Sequence, residues 1–362
     1  MEVTCMSTTT SPTVSPTNKS KSNLNRFAWL RRTFIGIAVT ILSLSGIGAV
    51  YQAIAAKNDQ RSYPPPGRFV DIGGRRIHMV VAGNKTNHPT VILEGGMASF
   101  SSNFYWIQNE LAATTRVVAY DRAGLGWSDP APEPQDAQQS ARDLHTALQA
   151  AGIRGPYVVA GHSYGGLVVR AFTDLYPDEV TGMVLIDASH PDQWVHIPAS
   201  KNGTLNGRSN LITSVLARLG VVRLFELERG LYTGLPDRQA AEMKAVLAKP
   251  ESWKTSGDVL LIWNERTRPQ INQSKSLNNL PLVVLSVTEQ ALFADVLTNL
   301  QAELPDLSSN SLHYTIEGAT HGSLVAQREH AMIVAEMIRK VMESASTGMR
   351  LSEISRQGDY DE

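Results

Sequence analysis

The sequence predicts an α/β protein with a mostly parallel central sheet and helices on both faces, preceded by one transmembrane helix. Three observations predict it. From residue 68 onward, short apolar runs alternate with segments of helical spacing, the pattern of strands joined by helical crossovers. Within that alternation, Gly161-His162-Ser163-Tyr164-Gly165 follows an apolar run and opens a helix-compatible stretch. And the 24 residues 33–56 carry no charge.

The N-terminal 25 residues are rich in Ser, Thr, Lys and Asn and have no apolar period, so they read as disordered. Segment 1–32 is a polar, basic tail. As a helix, 33–56 would reach about 36 Å at ~1.5 Å per residue, enough for a hydrocarbon core of ~30 Å. Lys19, Lys21, Arg26, Arg31 and Arg32 all precede it, which places the tail in the cytoplasm and exports the rest. A retained signal anchor is favoured because the apolar run is long. The alternative is a secreted protein cleaved near Ala55, since Ala53-Ile54-Ala55 is an A-x-A-like site and Arg31-Arg32-Thr33-Phe34-Ile35 resembles a twin-arginine signal. Segment 57–67 is a linker stiffened by Pro64-Pro65-Pro66-Gly67.

The main domain is expected at 68–345. Strands at 68–72 and 76–82 flank the hairpin signal Gly73-Gly74. A strand at 90–93 ends in Glu94-Gly95-Gly96-Met97. Helical spacing follows at 104–113, then a strand at 116–120 that runs into Asp121-Arg122-Ala123-Gly124-Leu125-Gly126-Trp127-Ser128. Segment 136–151 is an amphipathic helix with Ala141, Leu144, Leu148 and Ala151 in step. The run Tyr157-Val158-Val159-Ala160 is the strand before Ser163. Further strands are expected at 180–186, 282–286 and 312–316, and a closing helix at 331–342. Between 189 and 279 the alternation stops and helical patterns appear at 211–227, 237–247 and 258–266. That stretch is expected to form a cap, with Trp194, Phe225, Tyr232 and Trp263 either packing it or lining an acyl pocket. Segment 346–362 is polar and expected to fray.

Composition narrows the function. Hydrophobic residues make up 42% of the 362, enough for a large core. Thirty-three basic residues against 34 acidic give a net charge of -1, which suggests no nucleic-acid partner. The sole cysteine, Cys5, excludes an intramolecular disulfide and a cysteine-based metal site. No His-Glu-x-x-His motif or internal repeat occurs, and no metal or cofactor is expected.

The chemistry is concentrated in the 161–165 pentapeptide. It fits the G-x-S-x-G nucleophile elbow in its strand–turn–helix context. A sharp turn projects the Ser163 hydroxyl, and the Tyr164 amide at the helix N-terminus can donate to a developing oxyanion.

Four landmarks in order carry a family resemblance: Glu94-Gly95-Gly96, the 121–128 turn, the elbow, and Gly318-Ala319-Thr320-His321-Gly322. Over about 68–344 the chain resembles the α/β-hydrolase-fold superfamily. The membrane-preceded, Pro-Pro-Pro-Gly-led arrangement is similar to a group of bacterial serine hydrolases of mostly undefined substrate. The resemblance implies a triad. His321, after the last strand, stands where the fold places its histidine, and His162 is a support residue.

The fold usually supplies an Asp after the 282–286 strand. Here that turn reads Val287-Thr288-Glu289-Gln290, with Gln290 about where the Asp is expected. Some members take the acid from the end of the preceding strand, where Asp187 stands. Asp187 is the favoured acid and Glu289 the alternative, with Asp192 and Asp295 behind them. The second oxyanion amide is that of Gly96, with Met97 as alternative. Glu94 replaces a histidine found in many relatives. A carboxylate there would oppose an oxyanion unless paired, and Arg122 is the candidate partner. The 121–128 turn reads as architectural.

The reaction implied is hydrolysis of an ester or related acyl compound, carboxylesterase-like, on a small-molecule acyl substrate. Dehalogenases and epoxide hydrolases of the fold use an aspartate nucleophile, so Ser163 argues against both. An aminopeptidase or an acyl transferase or perhydrolase on the same triad is the alternative. A non-catalytic binding module is the alternative of another class.

Overall fold

The computed structural model describes Met1 and residues 19–197, 207–274, 276–289 and 294–358. They fall into two units, Met1–Gly48 and Ala49–Glu362. The first unit carries the leading part of one helix, Lys19–Ser62. Its apolar side chains, Phe34, Ile41 and Leu44 among them, are exposed. Phe27–Ser62 is long and apolar enough to cross a membrane, its most apolar 18 residues having a mean hydropathy of 2.0. Signal sequences near an N-terminus meet the same criterion.

The helix outruns the apolar run at both ends. The tail expected to be disordered is helical from Lys19, because each residue added to an existing helix gains a hydrogen bond without a new nucleation cost. Residues 2–18 of that tail lie outside the described residues. The linker expected from 57 starts only at Tyr63. Residues up to Ser62 stay helical because Asp59 is bonded to Arg223 at 2.6 Å, and Pro64 then disfavours helix in the residue before it.

The second unit is built on an eight-stranded sheet. Its strands are β1 (Arg68–Asp71), β2 (Arg76–Ala82), β3 (Thr90–Glu94), β4 (Val117–Tyr120), β5 (Tyr157–His162), β6 (Val180–Ile186), β7 (Leu282–Glu289) and β8 (Ser311–Thr320). The spatial order is β1-β2-β4-β3-β5-β6-β7-β8. β2 pairs antiparallel with β1 and β4, and every other pair is parallel. β3 to β6 are near-continuous apolar runs, as parallel strands covered on both faces require. One face packs Leu144 and Leu148 of helix Ala137–Ala150 and Val168 and Phe172 of helix Gly165–Leu175. The other packs Leu111 of helix Tyr105–Leu111 and Val334, Ile338 and Val341 of helix Arg328–Thr347. Asp136 caps its helix by accepting from Gln139 N at 2.8 Å.

Between β6 and β7 the regular elements among the described residues are helical, including Gly207–Arg218, Val221–Phe225, Asp237–Leu247, Pro250–Ile262 and Arg268–Asn272. Trp263 is buried and donates from Nε1 to Pro191 O at 2.8 Å, which ties this insertion to the segment after β6. Tyr232 is buried, Trp194 half-buried, and Phe225 exposed at 66%.

The C-terminal segment departs from expectation. Leu351–Gly358 is a helix. Leu351 and Ile354, one turn apart, are both buried, and Leu351 joins the cluster of the closing helix. The apolar signal is two residues wide, too small to outweigh the polar composition around it.

Candidate active site

Parallel strands deliver their C-terminal ends to one edge of the sheet, where ligands of such folds bind. The end of β5 leads into Ser163, whose φ of +57° is a conformation L side chains rarely adopt. Hydrogen bonds hold it there: Ser163 N donates to Ile186 O at 3.1 Å, and Ser163 O accepts from Ser189 N at 2.9 Å and Gly166 N at 3.0 Å. The turn requires glycine on both sides. A Cβ on Gly161 would sit 2.5 Å from Gly165 O, and one on Gly165 would sit 2.4 Å from Glu94 O. Helix Gly165–Leu175 starts immediately after Tyr164, so its N-terminus faces the site.

The end of β6 leads into Asp187, another residue at positive φ, +41°. Its side chain is 4% exposed. Oδ2 accepts from His321 Nδ1 at 2.5 Å, and Oδ1 accepts from Gln301 Nε2 at 2.8 Å. Gln301 ends helix Ala294–Gln301 and also donates to Ala188 O at 3.3 Å. Burial pushes the Asp187 carboxyl up, but the His321 bond and charge and the Gln301 bond outweigh it and hold the group below the usual carboxylate range. With its Nδ1 proton directed at Asp187, His321 keeps Nε2 as its basic nitrogen. The ring is 51% exposed and open to a substrate. Ser163 Oγ is not hydrogen-bonded to that ring in this structure. Such contacts often tighten only when substrate binds.

His162 is buried, and its Nε2 donates to His321 O at 2.9 Å. Its ring centroid lies 4.5 Å from that of His321. Burial, then the neighbouring His321, pushes the His162 pKa down to about 3. It is a neutral strut under the His321 loop.

The loop after β3 lies against the serine. A Cβ on Gly96 would fall 2.8 Å from Ser163 Cβ. Beneath the loop, Glu94 is buried and holds Arg122 and the Tyr120 hydroxyl. Burial works against the Arg122 charge, but the Glu94 carboxylate outweighs it and keeps the guanidinium charged. The 121–128 turn is fixed by its own polar groups. Asp121 accepts from Ser101 N at 2.8 Å and Trp127 N at 2.9 Å, and Ser128 Oγ donates to Asp121 O at 2.6 Å.

A family model for the alpha/beta hydrolase fold matches residues 89–325. The chain belongs to the α/β-hydrolase fold family. Among its relatives is RutD of Escherichia coli O103:H2 (strain 12009 / EHEC), a protein named for carbamate hydrolysis. It is 28% identical over 232 residues, which cover 62% of this chain and 83% of RutD. The chain spans 20%, 58% and 51% of the length of the first curated relatives it matches. A thermophilic esterase from Thermogutta terrifontis superposes with a TM-score of 0.58 at 21% identity, covering 75% of this chain and 95% of that one. The epoxide hydrolase CorEH superposes at 0.59 with 18% identity, covering 74% and 96%. At these identities the likeness is one of fold.

In this α/β hydrolase the other acid candidates are placed differently. Asp192 is taken up by Arg268 Nε at 2.5 Å and Asn272 Nδ2 at 3.0 Å. Asp295 is exposed on its helix. Glu289 ends β7, its backbone in register with Thr320. Its side chain and all of Gln290 lie outside the described residues. No group of three or more His, Cys, Asp or Glu that could hold a metal ion occurs among the described residues. Gln301 was not singled out in the sequence. Nothing in its local pattern marks it, since its partner Asp187 is 114 residues away.

Proposed function

We propose that this α/β hydrolase is a serine hydrolase that cleaves an ester or related acyl bond through an acyl-enzyme on Ser163. The observation that carries the reading is the His321 Nδ1 to Asp187 Oδ2 bond at 2.5 Å, at the sheet edge where the strained Ser163 turn also lies. In this mechanism Ser163 Oγ attacks the acyl carbon while His321 Nε2 takes its proton. The amides of Tyr164 and of Gly96 or Met97 hold the oxyanion. The intermediate expels the alcohol, which leaves with the proton from His321. Water, deprotonated by His321, then attacks the acyl-enzyme, and the acid departs as Ser163 regains its proton. Asp187 keeps the imidazole in its working tautomer. The RutD likeness puts carbamates beside esters in a substrate screen.

A fluorophosphonate probe is expected to label the full-length protein in detergent and to leave Ser163→Ala unlabelled. A folded wild type that takes no label would sink the acyl-enzyme reading and favour a binding module.

We further propose that helix Lys19–Ser62 is retained as an anchor, with the 68–345 domain, its 189–279 cap included, on the exported side. Support comes from Gln52, which is 5% exposed, donates to Ala248 O at 2.8 Å and accepts from Arg223 Nε at 2.9 Å. Cleavage near Ala55 would strip those bonds and leave buried polar groups unpaired, at about 1–3 kcal/mol. Intact mass of the membrane fraction is expected to match the uncleaved chain, and a mature start near Ala56 would end this reading. A soluble version starting at Lys57 is expected to melt several degrees below one starting at Ala49.

A further inference from the structure

We propose that Arg122 is the positioning residue of the oxyanion hole. It holds the carbonyls of Gly95 and Gly96, and so turns the amides of Gly96 and Met97 toward the space beside Ser163. This rests on the acyl-enzyme reading above. Arg122 Nη1 donates to Gly95 O, and Nη2 donates to Gly96 O at 2.5 Å. In a trans peptide the C=O and the following N–H point in opposite directions. A guanidinium that captures the Gly95 and Gly96 oxygens therefore aims the Gly96 and Met97 N–H groups the other way. Gly96 already lies against the serine, where a Cβ would fall 2.8 Å from Ser163 Cβ. The planar fork of arginine suits this task, since one group spans two successive carbonyls in fixed geometry.

The same guanidinium also packs against the side chain of the residue that carries the other oxyanion donor. Its carbon stands 5.4 Å from the centroid of the Tyr164 ring, and the Tyr164 amide is the donor that follows the nucleophile. Glu94 explains how a buried cation is tolerated there. It pairs with Arg122 Nη1 and is itself held by the Tyr120 hydroxyl, so the cluster carries no net charge. The Glu94 carboxylate thus neutralises the group that shapes the loop. It is not aimed at the oxyanion.

The test uses the full-length enzyme in detergent with 4-nitrophenyl butyrate. Arg122→Lys keeps a charge for Glu94 but loses the fork. Glu94→Gln/Arg122→Met removes both charges while leaving Tyr120 a partner. Folding is followed by thermal melting. In the folded variants, the acylation burst and kcat are expected to fall about 10²- to 10³-fold, the cost of an oxyanion donor. KM should stay within about threefold. Phenylboronic acid, whose adduct with serine mimics the tetrahedral intermediate, should bind weaker by a factor similar to the kcat loss. A structural tie alone would lower the melting temperature and leave the burst rate of the folded fraction intact. Either folded variant acylating within threefold of wild type, or changing KM alone, overturns the Arg122 role. A wild type that neither turns over nor takes a fluorophosphonate label overturns the acyl-enzyme reading, and the role of Arg122 with it.

Discussion

Asp187→Asn is expected to lower kcat by about 10⁴-fold with little change in KM. The reason lies in how Gln301 occupies Oδ1. An asparagine there keeps the Gln301 bond by offering its carbonyl oxygen, which leaves its NH₂ facing His321 Nδ1. Two N–H groups cannot face each other, so the imidazole adopts the other tautomer, with its proton on Nε2. A protonated Nε2 cannot take the Ser163 proton. The fold should survive, because the substitution keeps volume and one hydrogen bond. Glu289→Gln is expected to stay within about threefold of wild type. The measurement is kcat and KM on a 4-nitrophenyl ester for both variants. A large loss in Glu289→Gln with little effect in Asp187→Asn would transfer the acid role to Glu289.

Mild acid is expected to destabilise the second unit through His162. The folded pKa of about 3 lies well below the ordinary histidine value of ~6.5. The unfolded chain therefore binds a proton that the folded chain refuses throughout that window. Stability is fully present above ~6.5 and declines as the pH falls toward 3, at about 1.4 kcal/mol per pH unit. The vulnerable atom is Nδ1, which is buried without a partner. A proton there would face His321 on one side, with Asp187 as the nearby counter-charge. His190 and His313 are also held low by burial, and His78 is raised, its burial outweighed by Asp121. The difference between wild type and His162→Gln isolates the His162 share. Glutamine keeps a donor for His321 O and does not titrate. Urea unfolding at pH 7, 6 and 5 should show the wild type losing about 2 kcal/mol more than the variant across the series, the larger part of it between pH 6 and 5. Parallel slopes would mean that His162 is solvated or already charged in the folded state.

Much of this molecule is legible one residue at a time. The Val-rich runs become strands because both faces of a parallel sheet are covered, a local demand for continuous apolar sequence. Gly161 and Gly165 announce a tight turn around Ser163, since a Cβ at either would strike neighbouring backbone, and the uncharged run 33–56 announces its helix. The ends of elements are less legible. The helix that begins at Lys19 and the one at Leu351–Gly358 extend beyond their apolar signal, because hydrogen-bond propagation and two packed side chains, Leu351 and Ile354, suffice to hold them.

The site divides along the same line. By itself the sequence determined the elbow, the glycine loop beneath it and a histidine after the last strand, since each is a short-range arrangement whose backbone geometry restricts the residues allowed. Only the tertiary structure decided which groups meet. Asp187 and His321 are 134 positions apart, Gln301 approaches from a third element, and Arg122 reaches Glu94 across neighbouring strands. Those meetings depend on strand order and on the path of the chain between strands. A hydrogen bond senses a distance of about 3 Å and is indifferent to separation along the chain.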